Sequence, residues 1–556
     1  MDDYIAHLGS SMLALPPPED PCGLRASAWF EDNILFNPEF TTAENLATYV
    51  VYFGNQCRAL RLPQFPPGAK QYSEWPVCRR DDLPEPIWFD PMQSREGLVF
   101  FDKIALSKML SSRTAPRERV AAIAETHSRS NFDPDKLISN YQAIADNAGP
   151  PQHKPPYDIN FDVLEAAITR LATERWQMPK LRSCAPVDVP FNRAASAGVG
   201  YTGRKELNIG VALEKRERMM KSFLAGGPSV ERTTPFGLLA RLQVSLVDDS
   251  KHRNVAADSF HNYLEEGISA APVYTALKHS SNPSSFGMTL ERQIDVGNRL
   301  RHEHPHGRIE LVADWPAFDT GRKIDDRFCS GVHSWEIRAA FMLIGSWFAN
   351  DDVPAFLSLI FSMFHVVFKR VTYRRNMWYF SETIPSGTYW VYLLDSLIND
   401  LRCEYLSVLL GDPRSARIIG GDDSYSVLDV AGFDFAKSTE ILMPWHTQLA
   451  RPPKTQVKIV GSTTLLKFHG HYNLYDSPYR EEDDIICSCI LLERADVTDP
   501  LLSCGRLKAI WLDAGRRPAW LFSIWRQLEA EFSPSHPVEP QFAWTDSMWH
   551  SPSVLR

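Results

Sequence analysis

Two runs that read as strands, ARIIG and SYSVL, flank Gly420-Gly421-Asp422-Asp423. Gly-Asp sequences between strands suit a tight two-residue hairpin, because glycine accepts the backbone angles such turns impose. The run therefore predicts a β-hairpin with two adjacent carboxylates at its tip. Crowded carboxylates repel and raise one another's pKa unless a cation neutralises them, so the arrangement suits a divalent metal. Taken alone, the run is better accounted for as a solvated acidic turn, since such turns are common.

A second acidic position precedes the hairpin by about a hundred residues. RIELVADWPAFDT alternates as a strand through Glu310, Val312 and Asp314, Pro316 breaks the ladder, and Asp319 follows five positions after Asp314. If that strand lies beside the hairpin, its carboxylate joins Asp422; otherwise these are unrelated strand-end aspartates. Between the two lies ETIPSGTYWVYLLDSLINDL, where Ser386-Gly387 reads as a flexible, cap-like start. Trp390, Leu393, Leu394, Leu397 and Leu401 form a helical apolar stripe. Asp395 and Asn399 fall i,i+4 on the opposite face, and on composition alone they read as surface polar groups.

Composition bounds the rest. With 44% hydrophobic and 23% charged residues, the 556-residue chain is ordinary globular material, which excludes disordered, collagenous and coiled-coil architectures. A net charge of −9 excludes coating of nucleic acid by bulk basicity, although a local basic channel is compatible with it. Nine cysteines, odd and scattered, suggest reduced thiols, with Cys487 and Cys489 in the apolar run IICSCILL assigned to core packing. MDDYIAHLGSS opens with acids where a signal peptide needs bases. The most membrane-like stretch, Val353 to Phe368, holds Pro354, Ser358, Ser362 and His365 and falls short of the roughly 20 residues a span needs, so a buried helix is expected. Residues 1–156 are proline-rich and predict an arm wrapping a core. From Asn160, NFDVLEAAITRLATERW predicts a helix burying Leu164, Ile168 and Leu171, capped by Asn160 or Asp162. The tail from about Ile485 reads helical and tryptophan-rich.

The order and spacing of the three central elements adds a further constraint. D-x4-D at Asp314 and Asp319, then P-S-G with an Asn twelve residues after its glycine, then G-D-D, resembles the successive palm motifs of viral RNA-dependent RNA polymerases. The DWxxFD, PSG…DSxxN and GDDS forms resemble those of partitiviruses and, next, picobirnaviruses, both double-stranded RNA viruses. The resemblance covers about Ala194 to Asn473 and implies an α+β right-hand polymerase. Such a fold has fingers, a palm with an antiparallel sheet, a thumb and many helices, closed here by an N-terminal arm. The implied parts are 1–156 (N-terminal arm and part of the fingers), 157–300 (fingers), 301–330 (palm), 331–380 (helices of fingers and palm), 381–484 (palm) and 485–556 (thumb).

Carried over by position, the resemblance makes Asp314 and Asp422 principal ligands of two Mg²⁺ ions, with Asp423 weaker or indirect and Mn²⁺ the alternative metal. Asp319 and Asn399 would recognise the ribose 2′-hydroxyl, and Ser386 and Gly387 would form the loop that adjusts as template moves. Lys251 and Arg253, assisted by Arg241, would clasp the triphosphate. AASAGVGYTGRKE, with Gly198, Arg204 and Lys205, resembles the segment that guides template. RPPKTQVKIVG supplies Lys454, with Lys458 in reserve, as general acid toward pyrophosphate. LLKFHGHYN resembles the primer-grip hairpin. Val391 and His469 depart from the family's usual threonine and leucine, and Val391 removes a hydroxyl that could orient Asn399 or Asp319.

The implied function is replication and transcription of a viral double-stranded RNA genome by two-metal nucleotidyl transfer. Its implied partners are RNA template and product, nucleoside triphosphates and a viral capsid protein, with no membrane, in the host cytoplasm inside the virion. Two alternatives stand beside it. A reverse transcriptase shares the palm but usually carries a bulky residue in place of Asp319. A non-catalytic viral RNA-binding or capsid-associated protein with a decayed palm would not need Asp314, Asp422 and Asp423 complete.

Overall fold

The computed structural model describes residues 100–129, 135–139, 141 and, apart from breaks of which the longest is 430–453, residues 160–532. Eight strands of five or more residues build two four-stranded sheets among them. In chain order they are β1 (Phe236–Leu242), β2 (His252–Ala257), β3 (Arg308–Asp314), β4 (Lys369–Tyr373), β5 (Asn376–Phe380), β6 (Ala416–Gly420), β7 (Asp423–Asp429) and β8 (Lys454–Ile459).

The sheet holding the acidic positions has the order β6-β7-β3-β8 and is antiparallel throughout, as expected for this region. Its strands are apolar on both faces rather than one. Val312, Ile418, Tyr425 and Val427 pack with Ile294 and Leu300 of the Leu290–Glu303 helix and with Phe468. Ile309, Leu311 and Leu428 enter the main core instead. Alternate residues thus meet different layers, so the sheet is sandwiched and its register is fixed.

The second sheet, in the order β5-β4-β1-β2, is mixed: β1 and β4 run parallel, and the other two pairings are antiparallel. The main core joins this sheet to helices Phe161–Arg170, Phe260–Leu277, Ser334–Ser346, Val353–Val367 and Val391–Leu409. Several local expectations are met here. Asn160 caps the Phe161 helix by accepting from the backbone N–H groups of Asp162 and Val163 at 3.1 and 3.3 Å, and Leu164, Ile168 and Leu171 are buried. The Val353–Val367 helix is buried along nearly its whole length. No helix among the described residues is long and apolar enough to cross a membrane.

A smaller core joins Lys103–Ser111 and Arg117–Thr126 to the C-terminal helices Glu482–Ile490, Pro500–Asp513 and Ala519–Phe532. Phe100–Phe101 pairs with Leu491–Leu492. Asp102 fastens the seam: its buried carboxylate accepts from Ala105 N (2.9 Å) and Ser503 Oγ (2.9 Å) and pairs with Arg506. Cys489 is fully buried in this core, and Trp511 stacks on Trp525 with ring centroids 5.3 Å apart. Of the expected arm over residues 1–156, residues 1–99 lie outside the described residues.

Candidate active site

The predicted hairpin forms. Gly420 pairs with Asp423, leaving Gly421 and Asp422 as the two turn residues. Gly421 has φ of 65°, the positive value a II′ turn needs at its first central position, where a side chain would be strained. Asp422 is exposed at the tip and Asp423 is half-buried at the start of β7.

Antiparallel pairing then sets Asp423 opposite Asp314, and on the other side of β3 sets Lys454 opposite Asp314. Paired Cα atoms in such a ladder are about 4.5–5.5 Å apart and successive ones about 3.8 Å, so the Asp422 Cα lies within about 9 Å of that of Asp314. Three acidic positions and one lysine, dispersed over 141 residues of sequence, therefore share one end of one sheet. Asp319, expected beside them, lies outside the described residues.

The helix before the hairpin holds the turn from behind. It begins at Val391 with Trp390 at the cap position, so Ser386 does not cap it, contrary to expectation. Ser396 Oγ accepts from Gly421 N at 3.0 Å, while Asn399 Nδ2 donates to Gly421 O at 3.0 Å. Both polar groups of the turn glycine are thus held by side chains three residues apart on one helix face. Asn399 Oδ1 in turn accepts from Trp315 Nε1 at 2.9 Å, tying the residue after Asp314 to the same point. Asn399 is fully buried rather than a surface group, while Asp395 is half-buried.

One turn further along, the Arg402 guanidinium lies 4.7 Å from the Trp315 ring centre and 4.9 Å from that of Phe318. It also forms a two-pronged pair with Glu336, at 2.8 and 2.6 Å. Arg417 on β6 reaches back to the helix, donating to Asp400 Oδ1 at 3.0 Å, to Ser407 Oγ at 3.1 Å and to Glu404. Arg170 pairs with Glu404 at 2.7 Å, and Trp176 Nε1 donates to Asp400 at 2.7 Å. Desolvation pushes the Asp400 carboxyl up, whereas the surrounding arginines hold Glu404 down despite its burial.

Ser386 and Gly387 pack on the end of β2. Ser386 Oγ accepts from Ala256 N at 3.1 Å. A Cβ at Gly387 would sit 2.0 Å from Ala256 O, so close approach requires glycine there. Thr388 Oγ1 donates to both oxygens of Glu266 at 2.8 Å, and Tyr389 N donates to Oε2 at 2.7 Å.

The basic positions are more dispersed. Arg241 and Arg253 face each other in the β1–β2 register, while Lys251 lies outside the described residues. Gly198 lies where its loop meets Asp258, next to the bond from Phe260 N to Ala197 O. Arg204 is exposed and pairs with Glu206 at 3.7 Å. Lys205 Nζ instead sits 3.6 Å from the Tyr263 ring centre and 5.3 Å from that of Phe260, where burial pushes its pKa down to about 8. Tyr263 stacks on Tyr389 at 4.5 Å. His471, in the expected Lys467–Tyr472 hairpin, bonds through Nε2 to Asp513 O at 2.9 Å.

Sequence reasoning missed Ser396, Trp315, Arg402 and Arg417. The first two sit inside quoted motifs, three residues before Asn399 and one after Asp314, but their partners are distant in sequence. It also missed Asp258, Glu266 and His365, whose ligand atoms lie within 4.8 Å of one another. The four-residue steps Asp258, Asn262, Glu266 were the one available signal, since they share a helical stripe.

No protein-family model and no curated protein sequence matches the chain. Among solved structures, the insertion-loop deletion mutant of the RNA-dependent RNA polymerase of a human picobirnavirus matches with a TM-score of 0.57. The match has 11% identity and covers 78% of this chain and 89% of that one. The RNA-dependent RNA polymerase of a human picobirnavirus matches with a TM-score of 0.54 and 11% identity, over 83% of this chain and 87% of that one. At that identity the likeness is one of fold, and this chain has the right-hand polymerase fold.

Proposed function

We propose that the chain is an RNA-directed RNA polymerase that replicates and transcribes the genome of a double-stranded RNA virus. The observation that carries this reading is the register of β7, β3 and β8, which brings Asp423, Asp314 and Lys454 level beside Asp422. An oxygen-only donor set at a partly exposed sheet end fits hard divalent cations, so Asp314 and Asp422, with Asp423 secondary, would hold Mg²⁺ or Mn²⁺. When bound, two such ions would make the attacking hydroxyl more acidic and neutralise the departing charge.

The chain's own residues would do the rest by positioning and electrostatics. As the RNA 3′-oxygen bonds to the α-phosphorus, the bond to the β-phosphate oxygen breaks and pyrophosphate leaves. Lys454 would give that pyrophosphate its proton. Its level with Asp314 supports it over Lys458, which stands four residues, or about 13 Å, down the strand. Lys251, Arg253 and Arg241 would hold the triphosphate, and Gly198, Arg204 and Lys205 the template. Asp319 and Asn399 would accept and donate to a ribose 2′-hydroxyl, which a deoxynucleotide lacks. Asn399 must then exchange one of its present main partners, Gly421 O or Trp315 Nε1. Ser386 and Gly387 would adjust as template advances. The motif resemblance further supports action inside the virus particle in the host cytoplasm, with capsid protein as a partner.

The test is extension on a defined single-stranded RNA with Mg²⁺ and all four ribonucleoside triphosphates. Complementary RNA is expected, with ribonucleotides strongly preferred. Equal use of deoxynucleotides would turn the reading toward a reverse transcriptase, and RNA binding without product toward a non-catalytic protein.

A further inference from the structure

Beneath the Ser386–Tyr389 turn lies a buried polar cluster that the proposed chemistry does not use. Asp258 precedes the Phe260–Leu277 helix, Glu266 lies within it, and His365 projects from the Val353–Val367 helix. Their ligand atoms all lie within 4.8 Å of one another, and His365 Nε2 is 3.2 Å from Asp258 Oδ1. Two donors bound to one tetrahedral zinc, each about 2.0–2.2 Å from the metal, stand about 3.3–3.5 Å apart. The His365–Asp258 pair is close to that spacing, and the Glu266 carboxylate lies within 4.8 Å of both. The site is dry: the side chains of His365 and Asp258 are 1% and 2% exposed, and Glu266 is fully buried.

Two carboxylates this close in a low-dielectric site are costly unless something positive joins them. Their hydrogen-bond donors are mostly neutral: Ser259 N and Asn262 Nδ2 reach Asp258 Oδ1 at 2.7 and 2.9 Å, and Thr388 and Tyr389 reach Glu266. Burial and the neighbouring Asp258 push the Glu266 carboxyl well up. A separate observation points to a missing ligand. Asp258 Oδ2, Asn262 Oδ1 and His365 Nδ1 are buried without a hydrogen-bond partner. Asn262 is itself fully buried, and its Nδ2 already touches Asp258 Oδ1 and lies 3.2 Å from His365 Nε2, so its orphaned oxygen belongs to the same cluster.

We propose that Asp258, Glu266 and His365 bind one late first-row divalent cation, Zn²⁺ by their donor set, as a structural site. One imidazole with two carboxylates suits zinc, whereas Mg²⁺ takes oxygen ligands and keeps its waters. The ion neutralises the two carboxylates. Because Glu266 also holds Thr388 and Tyr389, it fixes the floor of the Ser386–Gly387 turn to two helices of the main core.

The test uses the full chain and reads metal rather than polymerisation. Protein purified without added metal is assayed by mass spectrometry for metal content. It is then stripped with chelator and titrated with ZnCl₂ while thermal unfolding is followed. About one zinc per chain is expected, with a saturable rise in Tm of about 3 °C or more on reloading. His365→Ala and Asp258→Asn should lose both effects, and Asp422→Asn should keep them. Wild-type protein with neither bound zinc nor a zinc-dependent Tm overturns the proposal and leaves a proton between the carboxylates. Stoichiometric zinc retained in His365→Ala also overturns it.

Discussion

Asn399 shows how much one buried amide can decide. It spends its nitrogen on the carbonyl of the acidic turn and its oxygen on Trp315, so the two chain segments that carry the acidic positions are referenced to a single side chain. Replacing Trp315 with Phe keeps an aromatic side chain but removes the donor and shrinks the indole to a phenyl ring. With only the weak Cys403 thiol donor left on Asn399 Oδ1, at 3.6 Å, and the smaller ring packing less well, the loss should be about 1–3 kcal/mol, so denaturant titration should place W315F below wild type by that amount. A loss within error would mean that the bond does not organise the turn. Lys205 carries a pH signature of its own. Its amine titrates near 10.5 when solvated and about 8 in its aromatic seat, so between those values the unfolded chain binds more protons and stability rises with pH. Lys205→Met should flatten that rise between about pH 8 and 10.5 in urea titrations; an unchanged slope would contradict the burial of the charge. The sequence named Asn399 and Lys205 through their motifs. It could not reveal that one is walled in and the other lies on a tyrosine face, because both facts depend on residues remote in the chain.

The Val391–Leu409 helix and the β6–β7 hairpin behave as one element pair. Ser396 and Asn399 hold the turn, and Arg417 of β6 returns to Asp400 and Glu404. Arg417 is fully enclosed, and removing one partner from a buried ionic network leaves uncompensated charge. Arg417→Met should therefore destabilise by about 3–5 kcal/mol, read as a lower denaturation midpoint with unchanged m-value. A near-neutral outcome would show that the network can be exchanged for apolar packing. Both elements were legible beforehand, the helix from its apolar stripe and the strands from their runs flanking Gly-Asp. Local periodicity determines such features. The parallel pairing of β1 with β4 was not legible, since it joins strands separated by more than a hundred residues and leaves no local mark. Gly387 was legible as a loop glycine, but the close packing of its backbone against Ala256, which leaves no room for a Cβ, was not.

At the scale of the whole molecule, the two largest cores among the described residues have different tasks. The larger supports both sheets, and the smaller clasps residues 100–126 to the C-terminal helices through Asp102, Ser503 and Arg506. The acidic sheet end is an outcome of that architecture, because only the antiparallel stacking of β7 on β3 brings Asp423 and Asp314 level. Asp422 is exposed at the turn, so changing it should alter stability by no more than about 0.5 kcal/mol. Chemistry and folding can therefore be separated there. The decisive measurement is templated ribonucleotide incorporation by wild type and Asp422→Ala in Mg²⁺, with thermal unfolding recorded on the same samples. Wild type should make complementary RNA, the variant should make no detectable product, and the two unfolding curves should match. Equal incorporation by a folded Asp422→Ala protein would contradict the proposed role of Asp422.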